Sequence, residues 1–327
     1  MKTTRFPALS FVLATGLMIF LPSCKEKNDE FPPRSWSEYS YTSATIASRT
    51  VSAMLYENDH SLWLGSAGSE GLLHQDGYKW NIYNQVETGI AFDSVETLTR
   101  DGNKNLWIGW KNGLASFDGT SWKKIPSFDG LNVTSVATVG IGDVVAGIKG
   151  ESGGIAMLKN NAWNFYTLLN SEIPSGNINQ LVSDYDQVLW LATADKGVVR
   201  LKNNTWETIV SDNLLISKNF TCITTAPDGS IWAASAASQL IHFENDSFTI
   251  LNTGTAKPVS SIVIADDGSI WCGTLGAGLV KFDGMQWTSY TKENAYLPSN
   301  EIISVVKGSP GNLILSIPGG QILIFVQ

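Results

Sequence analysis

Cysteine is scarce in this 327-residue chain: Cys24, Cys222 and Cys272 are too few for a disulfide framework to hold a fold of this size. Histidine is equally rare. His60, His74 and His242 share no motif, and none stands at metal-ligand spacing, so the sequence supports neither a metal centre nor any other cofactor. Positive charge is also in deficit, with 22 Lys and Arg against 30 Asp and Glu and a net charge of −8. That balance argues against nucleic acid or an anionic membrane face as the partner, since both reward basic surfaces. Beyond the N-terminus no apolar run reaches the roughly 20 residues that a transmembrane helix requires.

The N-terminus itself is apolar. Lys2 and Arg5 precede the run Phe11–Leu21, which ends in Leu21-Pro22-Ser23-Cys24. A short apolar core behind a basic start is a secretory signal rather than a fold element. The Leu21–Cys24 segment resembles the lipobox of bacterial lipoproteins, which implies that residues 1–23 are removed and that Cys24 becomes an acylated N-terminus. Several acyl chains on one residue anchor stably, because each buried CH₂ contributes about 0.8 kcal/mol. Lys25–Arg34, polar and ending in Phe31-Pro-Pro-Arg34, reads as a solvated tether. Loss of Lys2 and Arg5 would move the net charge from −8 to −10. The expected location is the bacterial cell envelope, lipid-anchored at the outer membrane, with the anchor as the only membrane contact.

From residue 35 onward the chain repeats. Short β-rich runs centre on Trp63, Trp107, Trp190, Trp232 and Trp271, and the spacing assigns Val145 and Ile314 to the same slot, giving seven anchors 38 to 45 residues apart. A second series, Trp36, Trp80, Trp122, Trp163, Trp206, Phe248 and Trp287, also has seven members. Two distances are fixed. An apolar residue stands nine before each anchor, from Met54 to Val305, and Gly71, Gly113, Gly154, Gly197, Gln239 or Gly278 stands nine before each later aromatic. Three residues ahead of those aromatics only Gly or Asn occurs: Gly77, Gly119, Asn160, Asn203, Asn245 and Gly284. Such a position asks for positive φ, as in the primed turns of hairpins. Asp-Gly at 101–102, 228–229 and 267–268 marks the first hairpin of its unit in the same way.

Units of about 42 residues with four strands each are blades of a β-propeller. One blade cannot bury both faces of its sheet, so neighbours stack around an axis and most of the tryptophans become packing residues. The seventh unit lacks its own fourth-strand aromatic, while an orphan strand, Ser35–Tyr39, precedes the first complete unit. Pairing the two closes the ring and removes exposed sheet edges. The expectation is an all-β, seven-bladed propeller of four-stranded blades over residues 35–327, its last blade completed by the N-terminal strand.

Units such as Leu106–Trp122 and Ile270–Trp287 resemble the two-component regulator propeller repeat over roughly residues 35–327. Blades three and seven depart most, since each lacks the first Trp. In that family the repeats build the extracytoplasmic sensor half of hybrid histidine kinases, many of which answer to glycans. The resemblance therefore implies a stand-alone binding propeller for a glycan or other polar ligand. It does not imply that this chain signals by itself.

Propellers hold ligands where the blade-connecting loops and the loops between second and third strands meet the channel, a rule that locates a site without naming its ligand. The variable segments of that face contain Arg49, Phe92, Phe128, Lys218 and Tyr296. Trp110, followed by Lys111, fills a slot that elsewhere holds Ser66, Ile148, Thr193, Ser235, Thr274 or Ile317, so it could stack on a sugar ring or pack on its own blade. The innermost strands place Ser52, Glu96, Thr134, Asn179, Thr221, Ser260 and Ile303 in one channel slot, with Glu96 and Asn179 the most polar members. Trp110, Lys111, Arg49, Glu96 and Asn179 are thus the candidate ligand-binding residues, and none is assigned a catalytic role. Two alternatives stay open: a scaffold for another envelope protein, and a lyase similar to the streptogramin lyases, whose chemistry calls for a channel-side His.

Replacing Cys24→Ala is expected to release the protein from the membrane fraction on cell fractionation. Unchanged retention there would refute the anchor.

Overall fold

The computed structural model describes residues 36–38, 50–57, 61–77, 79–140, 142–209 and 217–327. The signal segment, Cys24, the tether, Arg49 and His60 lie outside the described residues. Seven four-stranded antiparallel sheets form the molecule, each running first to fourth strand in sequence order except the last. Blade one comprises Val51–Tyr56, Leu62–Ser66, Leu72–Asp76 and Lys79–Tyr83. Blade two comprises Val95–Arg100, Leu106–Trp110, Gly113–Phe117 and Trp122–Lys124. The innermost strand of each blade adjoins that of the next, and the seventh adjoins the first.

Blade seven has three strands from the C-terminal side, Ser304–Lys307, Asn312–Ser316 and Ile322–Val326, and a fourth from Trp36–Glu38. Trp36 pairs with Phe325 and Glu38 with Leu323, as the orphan strand implied. Trp36 Nε1 also donates to the Ala295 carbonyl at 3.1 Å, tying the outer strand to the preceding loop.

Second strands are the most buried, because both faces meet neighbouring blades; every residue of Leu62–Ser66, Leu106–Trp110, Leu189–Thr193 and Ile270–Thr274 is buried. A buried indole needs a partner for its N–H. Trp107 and Trp190 donate to Asp101 and Asp184, six residues earlier, at 2.9 and 2.8 Å. Trp63 does the same to Glu57 at 3.2 Å. Burial pushes the Glu57 carboxyl upward, but hydrogen bonds from Arg100 of blade two, Ser61 and Trp63 prevail and hold it below its ordinary value.

All six Gly/Asn turn positions have positive φ, from 49° at Asn245 to 95° at Gly119 and Gly284. Asn160-Asn161, Asn203-Asn204 and Asn245-Asp246 form two-residue primed turns, with both residues left-handed. Blades two and six differ: Asp118 and Asp283 open four-residue loops and accept two backbone N–H bonds each, which lowers their carboxyl pKa values. The first-hairpin reading needs correction in blade two. Gly229 and Gly268 are the left-handed residues of their turns, but in blade two Lys104 takes that position and Asp101 accepts its N–H, so Asp101-Gly102 stands at a different place in the loop. The glycine nine before the aromatic has a steric cause. A Cβ at Gly71, Gly154 or Gly278 would sit 2.1 to 2.3 Å from a fourth-strand carbonyl oxygen.

Cys222 and Cys272 are unpaired and buried in one apolar cluster spanning blades five and six. Burial pushes the Cys222 thiol up to about 12 and raises Cys272 as well. Among the described residues no helix is long and apolar enough to cross a membrane.

Truncation through residue 40 is expected to lower the melting temperature far more than truncation through residue 33, because only the first removes the closing strand. Equal melting temperatures would contradict closure.

Candidate functional site

Six of the seven innermost strands carry a β-bulge at the same place, and the extra residue is Ser52, Glu96, Thr134, Asn179, Thr221 or Ser260. A bulge leaves one residue out of the ladder and re-aims its side chain. Here it turns these side chains, together with Ile303, into a central channel of about 500 Å³. The channel ring read from the sequence is therefore assembled as expected.

The hydroxyl members of this ring serve the scaffold. Ser52 Oγ donates to the Val95 carbonyl of the next blade at 2.5 Å. Thr134, Thr221 and Ser260 donate to Ile178, Val259 and Ile302, each at 2.6 Å. Asn179 makes the same link through Nδ2 to Phe220 O at 2.7 Å. Each bond joins one blade to the next at the bulge.

Glu96 is the exception. An ionised carboxylate has no proton to donate, so it cannot make the bond its neighbours make, and its side chain stays open to the channel mouth. Surrounding protein raises its pKa above the ordinary value, while Lys111 and Lys149 oppose the rise. Lys149 Nζ donates to Asn179 Oδ1 at 2.8 Å, and Asn179 Nδ2 also reaches Asn219 Oδ1 at 3.0 Å. Asn179 thus spends its polar atoms on protein partners and positions Lys149 instead of offering free groups to a ligand.

Trp110 requires correction. It is 1% exposed, its ring set edge-on against Phe92 at 5.2 Å and lying over Gly113, where a Cβ would come within 2.5 Å of the indole. The second strand is covered on both faces, so its last residue faces the core and cannot stack on a ligand. Phe92 and Phe128 are buried too, whereas Lys111 and Lys218 are exposed and Tyr296 is 37% exposed. Lys149 and Asn219 were missed, although both were visible in the repeat. Four residues past each anchor stand Ala67, Lys111, Lys149, Ala194, Ala236, Leu275 and Pro318, so lysine marks blades two and three alone.

Charge gathers on one side of the mouth. Glu96, Lys149, Asn179 and Asn219 line the channel from blades two to five, with Lys111 beside them, its backbone N–H donating to the Ser94 carbonyl at 3.4 Å, while blades six, seven and one contribute Ser260, Ile303 and Ser52. A larger groove of about 820 Å³ lies between blades four and five on the opposite face. Several of its polar groups are already committed: Arg200 to Glu207 and Asp246 at 2.6 and 2.5 Å, and Asp184 to Trp190.

Catalytic arrangements were sought in the same residues. His74 and His242 stack on Trp63 and Trp232 at 3.9 and 4.1 Å, away from the channel. Ser61 Oγ meets His74 Nε2, but Ser61 is buried, and Glu57 bonds the serine and not the imidazole, so the order of a nucleophilic triad is not formed among Glu57, Ser61 and His74. Among the described residues no group of three or more His, Cys, Asp or Glu is placed to hold a metal ion.

No protein-family model matches the chain, and no curated protein matches it significantly. Solved structures do. The extracellular domain of the hybrid two-component system BT3049 from B. thetaiotaomicron superposes with a TM-score of 0.75 at 17% identity over 90% of this chain. The chain spans 41% of that domain's length. A catalytically inactive virginiamycin B lyase from Staphylococcus aureus, solved with quinupristin, gives 0.74 at 12% identity over 89% of this chain and 99% of the lyase. PorZ, a surface component of the type-IX secretion system of Porphyromonas gingivalis, gives 0.67 at 17% over 85% of this chain and 46% of its own. At these identities the likeness establishes the fold. The two-component regulator resemblance accordingly rests on the repeat residues, and the solved structures add the shared β-propeller fold.

Trp110→Ala is expected to cost about 3–5 kcal/mol of stability, the range for emptying a large aromatic site in a core, read by denaturant unfolding. A loss below about 1 kcal/mol would show that the site is not packed as described.

Proposed function

We propose that this protein is an extracytoplasmic, lipid-anchored binding module that seats a glycan or similarly polar ligand at the channel mouth. One observation carries the reading: at the slot where other blades spend their polar atoms on an inter-blade bond, blade two presents Glu96 with none. A polar group left unsatisfied by the scaffold, set in a concave site of several hundred Å³ with other polar groups converging on it, fits a ligand site. Likeness to a sensor's extracellular domain supports an extracytoplasmic setting, and the lipobox-like segment supports the anchor.

Binding is favoured over catalysis because the described histidines are packed against tryptophans and not directed to the channel. A lyase is the less favoured reading, supported only by the shared fold. A protein-docking scaffold has one specific point in its favour. Leu168 and Leu169, 58% and 96% exposed, stand in a rim segment of the same face.

The test is a glycan array probed with the wild-type protein, followed by affinity measurement for any glycan retained. Glu96→Ala is expected to weaken that glycan at least tenfold, about 1.4 kcal/mol, with an unchanged melting temperature. Thr134→Val should show the reverse, a lower melting temperature with affinity kept. Binding indifferent to Glu96→Ala would remove the site from the channel mouth.

A further inference from the structure

Resting on the channel-mouth reading, we infer that the ligand is an acidic saccharide, a hydroxylated ring bearing a carboxylate or sulfate, whose anion lies between Lys111 and Lys149. The chain is acidic, with a net charge of −8, yet the two lysines of this repeat slot fall in adjacent blades beside one channel. Lys124, Lys307 and Lys202 each meet a carboxylate, Asp129 at 2.8 Å, Asp266 at 2.5 Å and Asp246 at 3.4 Å. The Lys111 ammonium has no hydrogen-bonded or ion-paired partner among the described residues, and that of Lys149 has a neutral one, the Asn179 amide. The carboxylate they flank, Glu96, disfavours its charged form through partial burial.

Glu96 and Lys149 line the mouth and Lys111 stands beside Glu96, so two ammonium groups act on one carboxylate whose charged form is disfavoured. Charge-assisted hydrogen bonds from ammonium to carboxylate or sulfate are about twice as strong as neutral ones, and they strengthen further where solvent is thinned. Asn179 fixes Lys149 toward the channel through its 2.8 Å bond and is itself fixed by Phe220 O and Asn219, so the cation is preorganised. Glu96 then accepts hydrogen bonds from ring hydroxyls, while its charge keeps the ligand's own anion away from it and toward the lysines. A cavity of about 500 Å³ suits a short oligosaccharide end and not a macromolecular duplex.

The experiment measures binding of the wild-type protein to oligogalacturonides and sulfated galactan fragments against neutral galactan oligosaccharides of equal length. Acidic probes are expected to bind at least tenfold tighter at low salt. Lys111→Gln and Lys149→Gln should each abolish most of that preference, while Lys123→Gln, exposed on the outer strand of blade two, should not. Glu96→Gln keeps a hydrogen-bonding group without the opposing charge, so acidic probes should gain at least threefold and neutral ones should not change. If acidic and neutral probes bind alike, or if the lysine variants leave the preference intact, the anion inference falls; sensitivity of the same binding to Glu96→Ala would leave the channel-mouth reading standing. If neither probe class binds, or if Glu96→Ala changes nothing, the channel-mouth reading fails first and takes this inference with it.

Discussion

The ring depends on a bond made at a defect. Each innermost strand but the last slips by one residue, and in five of those six the residue left out reaches across the channel wall to a carbonyl of the next blade. A sheet ladder cannot supply such a bond, because the edges of adjacent blades do not pair. Apolar packing between blades supplies most of the stabilisation, but it is indifferent to small sliding of one sheet over another. Five directional bonds of 2.5 to 2.7 Å, each contributing about 1 kcal/mol net, fix that register. Trp36–Glu38 then completes the last blade by pairing with Ile322–Val326.

That constraint also explains why so few residues are free for function. A polar side chain in the channel is, by default, consumed by the scaffold, so polarity there carries little functional information. Information lies in the exceptions. Ile303 cannot donate, and the seventh strand shows no bulge at that slot, so its blade relies on packing. Glu96 cannot donate while ionised yet keeps the bulge, so the fold has presented a carboxylate that it does not use.

Much of this was legible because propeller blades compare a sequence with itself. Gly77, Asn160 and Gly284 predict positive φ by residue type alone, and the ring from Ser52 to Ile303 follows from fixed distance to the anchors. Trp110 was harder. Its slot was identified correctly, but its burial depends on Phe92, from a loop of variable length, and on Gly113, whose absent side chain makes room. Neither relation has a period, and periodicity was the source of the reading. Lys149 had the opposite problem: the period would have shown it beside Lys111, but its meaning emerges only when Asn179, thirty residues away, is seen to hold it. The Arg49 and Cys24 readings fall outside the described residues and stand on sequence alone.

The shared architecture of a sensor domain, a lyase and a secretion component indicates how little the fold by itself decides. All three kinds of protein solve the same problem of stacking four-stranded sheets around an axis, and the solution leaves a channel whose lining is negotiable. What differs must be the few side chains the scaffold does not employ. In this chain those are a carboxylate and two ammonium groups in neighbouring blades, and no described histidine is among them. Under the proposed function, such a set orients and holds a charged, hydroxylated molecule through charge-assisted hydrogen bonds.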